Sequence, residues 1–236
     1  MPASPPCERP IGAIVLDLFG TLVDAPTPIE LASISTRLGG RLDRRSTVIE
    51  DYFRSTWLVR HDGRLAGLSD LAAHLVEAVA APKSAIEIVV DELYAIARCR
   101  VTPHESVLRT LESLRDNGIR LAVLSDADAG VAAAWPASPL AALVDTAVFS
   151  CRAGATKPDP RLYARVCTDL EVAPSRALFV GDGGGDELHG ALRAGLSALA
   201  VRRRGSEDAL VYGAVDWFGP VIGAVEVLPE YLGCSI

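Results

Sequence analysis

The chain has 236 residues, half of them hydrophobic (50%) and 22% charged, with a net charge of −7; it suits one large domain or a core with an insertion, and excludes a disordered chain. The acidic balance disfavours nucleic acid as the main partner, no apolar run is long enough to span a bilayer, and Met1-Pro2-Ala3-Ser4-Pro5-Pro6 lacks the basic start and apolar stretch of an export signal. We therefore expect a cytoplasmic protein with neither a nucleic-acid nor a membrane partner, and its five cysteines, without a C-x-x-C pair, signal neither a disulfide framework nor a zinc site.

After a Pro-rich start, Met1 to Pro10, the apolar run Ala13 to Leu16 reads as a buried parallel strand that delivers Asp17 to its end before Gly20 breaks it. Asp24-Ala25-Pro26-Thr27-Pro28 reads as a linker. From Ile29 to about Arg100 apolar residues recur at three- and four-residue spacings with no strand alternation, which predicts a set of helices inserted after the first strand. Val101-Thr102-Pro103-His104 returns the chain, and proline in both connections leads us to expect a lid that moves against the core. A helix then follows at Glu105 to Asn117, a strand at Arg120 to Leu124 and a short helix at Gly130 to Trp135. Next come a strand at Val144 to Phe149, a helix at Leu162 to Leu170 and a strand at Ala177 to Val180. A helix at Glu187 to Arg193 and a strand at Ala198 to Val201 complete the alternation. Strands alternating with helices predict an α/β fold, a Rossmann-like doubly wound parallel sheet with an inserted helical cap. We expect the core at 1–23 and 104–236 and the cap at 24–103. The tail from Glu207 to Ile236 is weakly patterned and reads as a docked end through Trp217, Phe218 and Leu228.

Four polar clusters close apolar runs: Asp17-Leu18-Phe19-Gly20-Thr21, Leu124-Ser125-Asp126, Lys157-Pro158-Asp159-Pro160 and Gly181-Asp182-Gly183-Gly184-Gly185-Asp186-Glu187. Carboxyl ends of strands are where open α/β sheets bind ligands, although read singly Asp17 is equally the acid of an ordinary turn. The glycine run does not make a dinucleotide fingerprint, because Asp186 stands where the last glycine is needed, and no Walker sequence occurs. Lysine is rare here, only Lys83 and Lys157. None of His61, His74, His104 and His189 shows ligand spacing, and we take them as structural or solvated.

Together the four clusters, in this order and spacing, resemble the haloacid dehalogenase-like hydrolase superfamily. The resemblance implies that Asp17 is a nucleophile, that Thr21, Ser125 and Lys157 are catalytic, and that Gly20, Thr21, Ser125, Asp126 and Lys157 hold the transferred group. It also implies a Mg²⁺ site made by Asp17, the Phe19 carbonyl, Asp182 and Asp186. Phe19 departs from the phosphatase pattern, in which a second aspartate at that place moves a proton; Asp24, Asp128, Glu187 or a cap residue are the candidate substitutes. An aromatic residue there, and Tyr163 six residues after Lys157, are similar to the dehalogenase members, but those lack the Asp182 and Asp186 pair, and none of Arg41, Arg44 and Arg45 matches their cap arginine securely. The expected function is a Mg²⁺-dependent phosphatase of a small phosphorylated metabolite, acting as monomer or homodimer. The alternatives are a 2-haloacid dehalogenase using an ester on Asp17 and a non-catalytic binding or regulatory protein.

Overall fold

In the computed structural model, which describes residues 11–203, 210, 213 and 216–234, the opening strand β1 (Ala13–Leu16) is apolar at all four positions and fully buried. Its pleat sends Ala13 and Val15 into one hydrophobic cluster and Ile14 and Leu16 into another. A strand covered on both faces has no place for a polar residue, which explains the unbroken run. The other strands are β2 (Arg120–Ser125), β3 (Thr146–Phe149), β4 (Ala177–Gly181), β5 (Ser197–Val201) and β6 (Val221–Ile222). Their order is β3-β2-β1-β4-β5-β6, parallel throughout. Strand order reverses between β1 and β4, so the carboxyl ends of these two strands flank the crevice where such sheets bind ligands.

Between β1 and β2 the chain forms α1 (Pro28–Leu42), α2 (Ser46–Ser55), α3 (Trp57–His61), α4 (Leu68–Ala78) and α5 (Ile86–Arg100), with no strand among them. Thr27 caps α1 by accepting the Glu30 N–H at 3.1 Å, and Pro28 takes the first position, where a missing N–H is harmless. Apolar stripes carrying Leu38, Ile49, Leu71, Leu75 and Val89 close on one another as a core separate from the sheet. Glu92 is buried in this unit between Arg37 and Arg41, the latter at 2.9 Å, while Arg44 donates to the carbonyls of Val79 and Ala80.

The remaining helices are α6 (Glu105–Asp116), α7 (Ala129–Ala134), α8 (Ser150–Ala153), α9 (Pro160–Asp169), α10 (Glu187–Arg193) and α11 (Leu228–Tyr231). Residues of α6, α7 and α11 cover the Ile14 and Leu16 face, and residues of α9 and α10 cover the other. The α9 helix starts two residues before the predicted position, because Asp159 caps it and Pro160 occupies its first turn. The expected strand at Val144 starts only at Thr146; the preceding Asp145 donates its N–H to the Leu121 carbonyl, and its carboxylate accepts the Leu121 N–H in return, both at 2.8 Å. In the tail, β6 and α11 were not foreseen. Leu228 is buried and Trp217 packs at the edge of the core, but Phe218 is 92% exposed and does not dock. Parts of that tail, and the Pro-rich start, lie outside the described residues.

The helical unit is sewn to the core along one seam. Ala97 and Val101 join the sheet-side cluster and Ala129 of α7 joins the cluster of the helical unit. Arg60 of α3 forms a buried ion pair with Asp128, Nη1 to Oδ2 at 3.0 Å. Such a pair adds little net stability against its desolvation cost, but removing one partner would leave the other charge buried and unpaired, at about 3–5 kcal/mol. At the tightest point of the seam Gly63, with φ +93°, has the Gly154 Cα only 2.7 Å from where a Cβ would stand. Gly63→Ala is therefore expected to lower the unfolding free energy by about 2–4 kcal/mol, whereas Gly118→Ala, also at positive φ but facing open space, should lose only about 1 kcal/mol. Urea unfolding of the two variants measures the difference, and equal losses would mean that the seam is not close-packed.

Candidate active site

Asp17, Ser125 and Asp182 are each delivered by the end of a strand. Asp17 follows β1 directly, is 4% exposed and has its N–H bonded to the Val180 carbonyl at 2.9 Å. The chain then folds back at once, with the N–H groups of Leu22 and Val23 both reaching the Leu18 carbonyl. Gly20 makes this turn at φ +77°, and the Asp182 carboxylate packs where its Cβ would be, so no larger residue fits. The fold-back brings the Thr21 hydroxyl to 3.5 Å from Asp17 Oδ2. Ser125 ends β2, is 1% exposed, and its Oγ has no hydrogen-bond partner although it lines the same cavity as Asp17. An orphaned buried hydroxyl is costly unless a ligand satisfies it, and this one fits an anionic oxygen.

Lys157 reaches the site from the loop before α9. Its ammonium lies 2.5 Å from Asp17 Oδ1 and 2.5 Å from Glu187 Oε2, and its N–H is accepted by Asp126 Oδ1 at 2.9 Å. Burial alone would lower its pKa, but Asp17, Glu187 and Asp126 outweigh burial and hold it well above the usual lysine value. Glu187 is pushed up to about 8 by burial, with Lys157 opposing and Asp17 and Asp182 adding to the rise. Its other oxygen accepts the Gly183 N–H at 2.8 Å. Asp182, after β4, is raised by burial and then by Asp17, while its Oδ1 accepts the Gly184 N–H.

Asp186 is the expected residue that the fold does not bring here. Gly183, Gly185 and Asp186 all adopt positive φ, at 91°, 62° and 56°, and this winding turns the Asp186 carboxylate outward to His189 at 2.7 Å and Arg193 at 2.9 Å. Glu187 takes the inner place: one oxygen each from Asp17, Asp182 and Glu187 lie within 4.8 Å of one another. The sequence reading had Glu187 only as a substitute acid. The missed signal is the inward stripe of α10, in which Glu187, Leu188, Gly190 and Ala191 are all buried.

The helical unit roofs a cavity of about 190 Å³ over these groups. Leu31, Ile34, Phe53, Trp57, Leu93 and Ile96 make an apolar wall, and Arg60, His61 and Arg100 also face it. Sequence reasoning missed these three, because helical periodicity identifies a face and not what it meets. Arg100 lies 4.4 Å above the centre of the Phe19 ring and pairs with Glu30 at 3.2 Å. His61 stacks on Trp57, donates Nδ1–H to the Trp57 carbonyl, and has its pKa lowered to about 4 by burial and then by Arg60. Tyr163 lies outside the cavity, its hydroxyl donating to the Glu187 carbonyl at 2.9 Å.

Removal of the Lys157 ammonium leaves Asp17 and Glu187 buried without a counter-charge. Lys157→Met is expected to destabilise the protein by about 3–5 kcal/mol at pH 8. Burial raises the Glu187 pKa above its unfolded value and Lys157 opposes that rise; without the ammonium the rise is larger, so the penalty grows as pH rises and shrinks toward pH 5. Thermal melts across that range test it; a deficit independent of pH would contradict the charge argument.

A family model described as haloacid dehalogenase-like hydrolase matches residues 11–195. Phosphatase MT3486 of Mycobacterium tuberculosis (strain CDC 1551 / Oshkosh) is 30% identical over 215 residues, 85% of this chain and 92% of its own length. The (S)-2-haloacid dehalogenase 4A of Burkholderia cepacia is 32% identical over 107 residues, 45% of this chain. The chain spans 46% of the length of that dehalogenase, and 40% and 46% of two other curated relatives. Among solved structures, the L-2-haloacid dehalogenase of Xanthobacter autotrophicus with chloropropionic acid covalently bound superposes with a TM-score of 0.65 at 22% identity, covering 94% of this chain and 98% of that one, a likeness of fold.

Proposed function

We propose, since this chain belongs to the haloacid dehalogenase-like hydrolase family, that it is a Mg²⁺-dependent phosphatase acting on a small phosphorylated metabolite through an aspartyl-phosphate on Asp17. One observation carries the reading: three buried carboxylates, Asp17, Asp182 and Glu187, converge on one spot with a single ammonium, Lys157, between two of them. Ionised together, they would set three negative charges against one positive, an excess that a bound cation would offset, and hard oxygen donors crowded in this way suit Mg²⁺, whose use is typical of the family. Asp17, Asp182 and the Phe19 carbonyl would hold the ion, with Glu187 in the place expected of Asp186. When bound, it supplies positive charge for the carboxylates and for the phosphoryl oxygens.

Asp17 attacks phosphorus and the ester oxygen leaves, giving the aspartyl-phosphate; water then attacks its phosphorus and frees Asp17. Lys157 holds Asp17 Oδ1 and neutralises charge that builds up on the transferring group. The unpartnered Ser125 hydroxyl, and that of Thr21, donate to phosphoryl oxygens. A cavity of about 190 Å³ is smaller than the ~300–1,000 Å³ of drug-sized sites, which supports a small ester with an apolar portion against the roof.

A 2-haloacid dehalogenase is the second reading, favoured by Phe19, which puts an aromatic ring where a proton donor is expected. Against it, Arg41 and Arg44 are occupied inside the helical unit and the Tyr163 hydroxyl is bonded to Glu187. Turnover of phosphate esters and 2-haloacids, with Mg²⁺ and with chelator, separates the two. We expect phosphate release only with Mg²⁺ and none from Asp17→Asn; chelator-insensitive halide release would overturn the phosphatase. By calorimetry, Asp182→Asn and Glu187→Gln are each expected to weaken Mg²⁺ binding ~10–100-fold. Asp186→Asn should bind as the wild type does, and a large loss in that variant would contradict the outward placement of its carboxylate.

A further inference from the structure

Attack by Asp17 expels an ester oxygen that needs a proton, and Phe19 has none to give. Among the described residues the cavity is lined by six acids: Asp17, Glu30, Asp126, Asp128, Asp182 and Glu187. Asp17 is the nucleophile, and Asp182 and Glu187 belong to its carboxylate cluster. Asp128 is committed at both oxygens, Oδ1 to the N–H groups of Gly130 and Val131 and Oδ2 to Arg60. Glu30 pairs with Arg100. Asp24, a candidate from the sequence, is outside the cavity with its side chain 78% exposed.

Asp126 remains, and its two oxygens differ. Oδ1 is fixed by the Lys157 N–H at 2.9 Å, while Oδ2 takes no hydrogen bond from any described residue and lies on the cavity side, toward Gly185. We propose that Asp126 is the catalytic acid and base of the reaction, its Oδ2 giving a proton to the leaving ester oxygen and later taking one from water. This rests on the phosphoryl-transfer reading above. In the first step an Asp17 oxygen bonds to phosphorus, the phosphorus–ester oxygen bond breaks, and the Asp126 proton converts the leaving alkoxide to an alcohol. In the second, water bonds to phosphorus, the acyl phosphate bond breaks to regenerate the Asp17 carboxylate, and the water proton restores Asp126. The tether at Oδ1 keeps the carboxyl in place through both steps.

The electrostatic setting supports the role. Burial pushes the Asp126 carboxyl up to about 6, with Lys157 opposing and Asp17 adding to the rise; Asp182, Glu187, Asp128, Arg60 and Arg100 are the other charges around the cavity. A raised acid holds its proton below that value and loses it above, so kcat/KM for a substrate needing protonation falls as pH rises through about 6. The substrate phosphate titrates near pH ~6 as well, but equally in wild type and variant, and the difference between their profiles isolates Asp126.

The test uses propyl phosphate, whose leaving group needs a proton, and p-nitrophenyl phosphate, whose leaving group departs as an anion, both with Mg²⁺. Asp126→Asn keeps an oxygen for the Lys157 N–H and loses only the proton; Asp126→Ala loses both. We expect each variant to lose ~10²–10⁴-fold on propyl phosphate and much less on p-nitrophenyl phosphate, with the difference in pH profile removed. If Asn behaves as wild type and only Ala loses activity, or if both substrates suffer equally, Asp126 merely positions Lys157 and the inference is overturned. Wild type active on the aryl ester but inert on the alkyl ester also overturns it, while wild type inert on both removes the phosphatase reading itself.

Discussion

Lys157 is a buried cation fixed between two carboxylates that come from beyond the ends of two neighbouring strands, Asp17 after β1 and Glu187 at the start of α10, which follows β4. A buried ion pair gives little net stability against its desolvation cost, but a missing partner is heavily penalised. The surrounding architecture follows from that. Asp126 anchors the Lys157 backbone, Asp159 and Pro160 start α9 just beyond it, and Tyr163 of α9 returns to tie the Glu187 carbonyl. Gly190 has no side chain because Pro158 and Tyr163 press within 2.6 and 2.7 Å of the position a Cβ would take. A loop lysine and a helix-terminal glutamate are thus buried and held by hydrogen bonds on several sides.

The sheet supplies the convergence that this arrangement needs. Parallel strands end on the same edge, and the reversal of strand order beside β1 opens that edge into a crevice. Asp17 and Asp182 therefore meet although 165 residues separate them, and the fold holds them close at the expense of mutual repulsion. Such a site is prepared to receive positive charge and an anionic ligand together. The helical unit adds an apolar roof with Arg60, Arg100 and His61, and its seam along α7 and α8 makes that roof part of the site. Arg100 stacks over Phe19 beside the cavity, and on the proposed reading the proton has to come from elsewhere in the cavity.

Strand ends were legible in the sequence because a buried strand must be apolar and its first polar residue must face a functional edge. Asp17, Ser125 and Asp182 follow from that rule, Lys157 was singled out by its rarity and its place before Pro158, and the fold brings all of them together. The last acid was not legible by spacing alone. Gly183, Gly185 and Asp186 wind through positive φ, and one extra residue in that turn exchanges the roles of Asp186 and Glu187. Helical patterning of the inserted unit was equally clear, yet the pairing of Arg60 with Asp128, 68 residues apart, depends on how two units dock, which periodicity does not encode. The positions of Phe218 and Tyr163 show the same limit, since an aromatic residue signals burial without saying against what.

Beryllium fluoride tests the central claim without knowledge of the substrate, because it forms an aspartyl-phosphate analogue only on a nucleophilic carboxylate beside a bound divalent cation. The account predicts a bound ¹⁹F signal and a raised melting temperature in wild type with Mg²⁺, both lost on chelation and in Asp17→Asn. A folded wild-type protein that gives neither with Mg²⁺ present, or an Asp17→Asn variant that gives both, would contradict it.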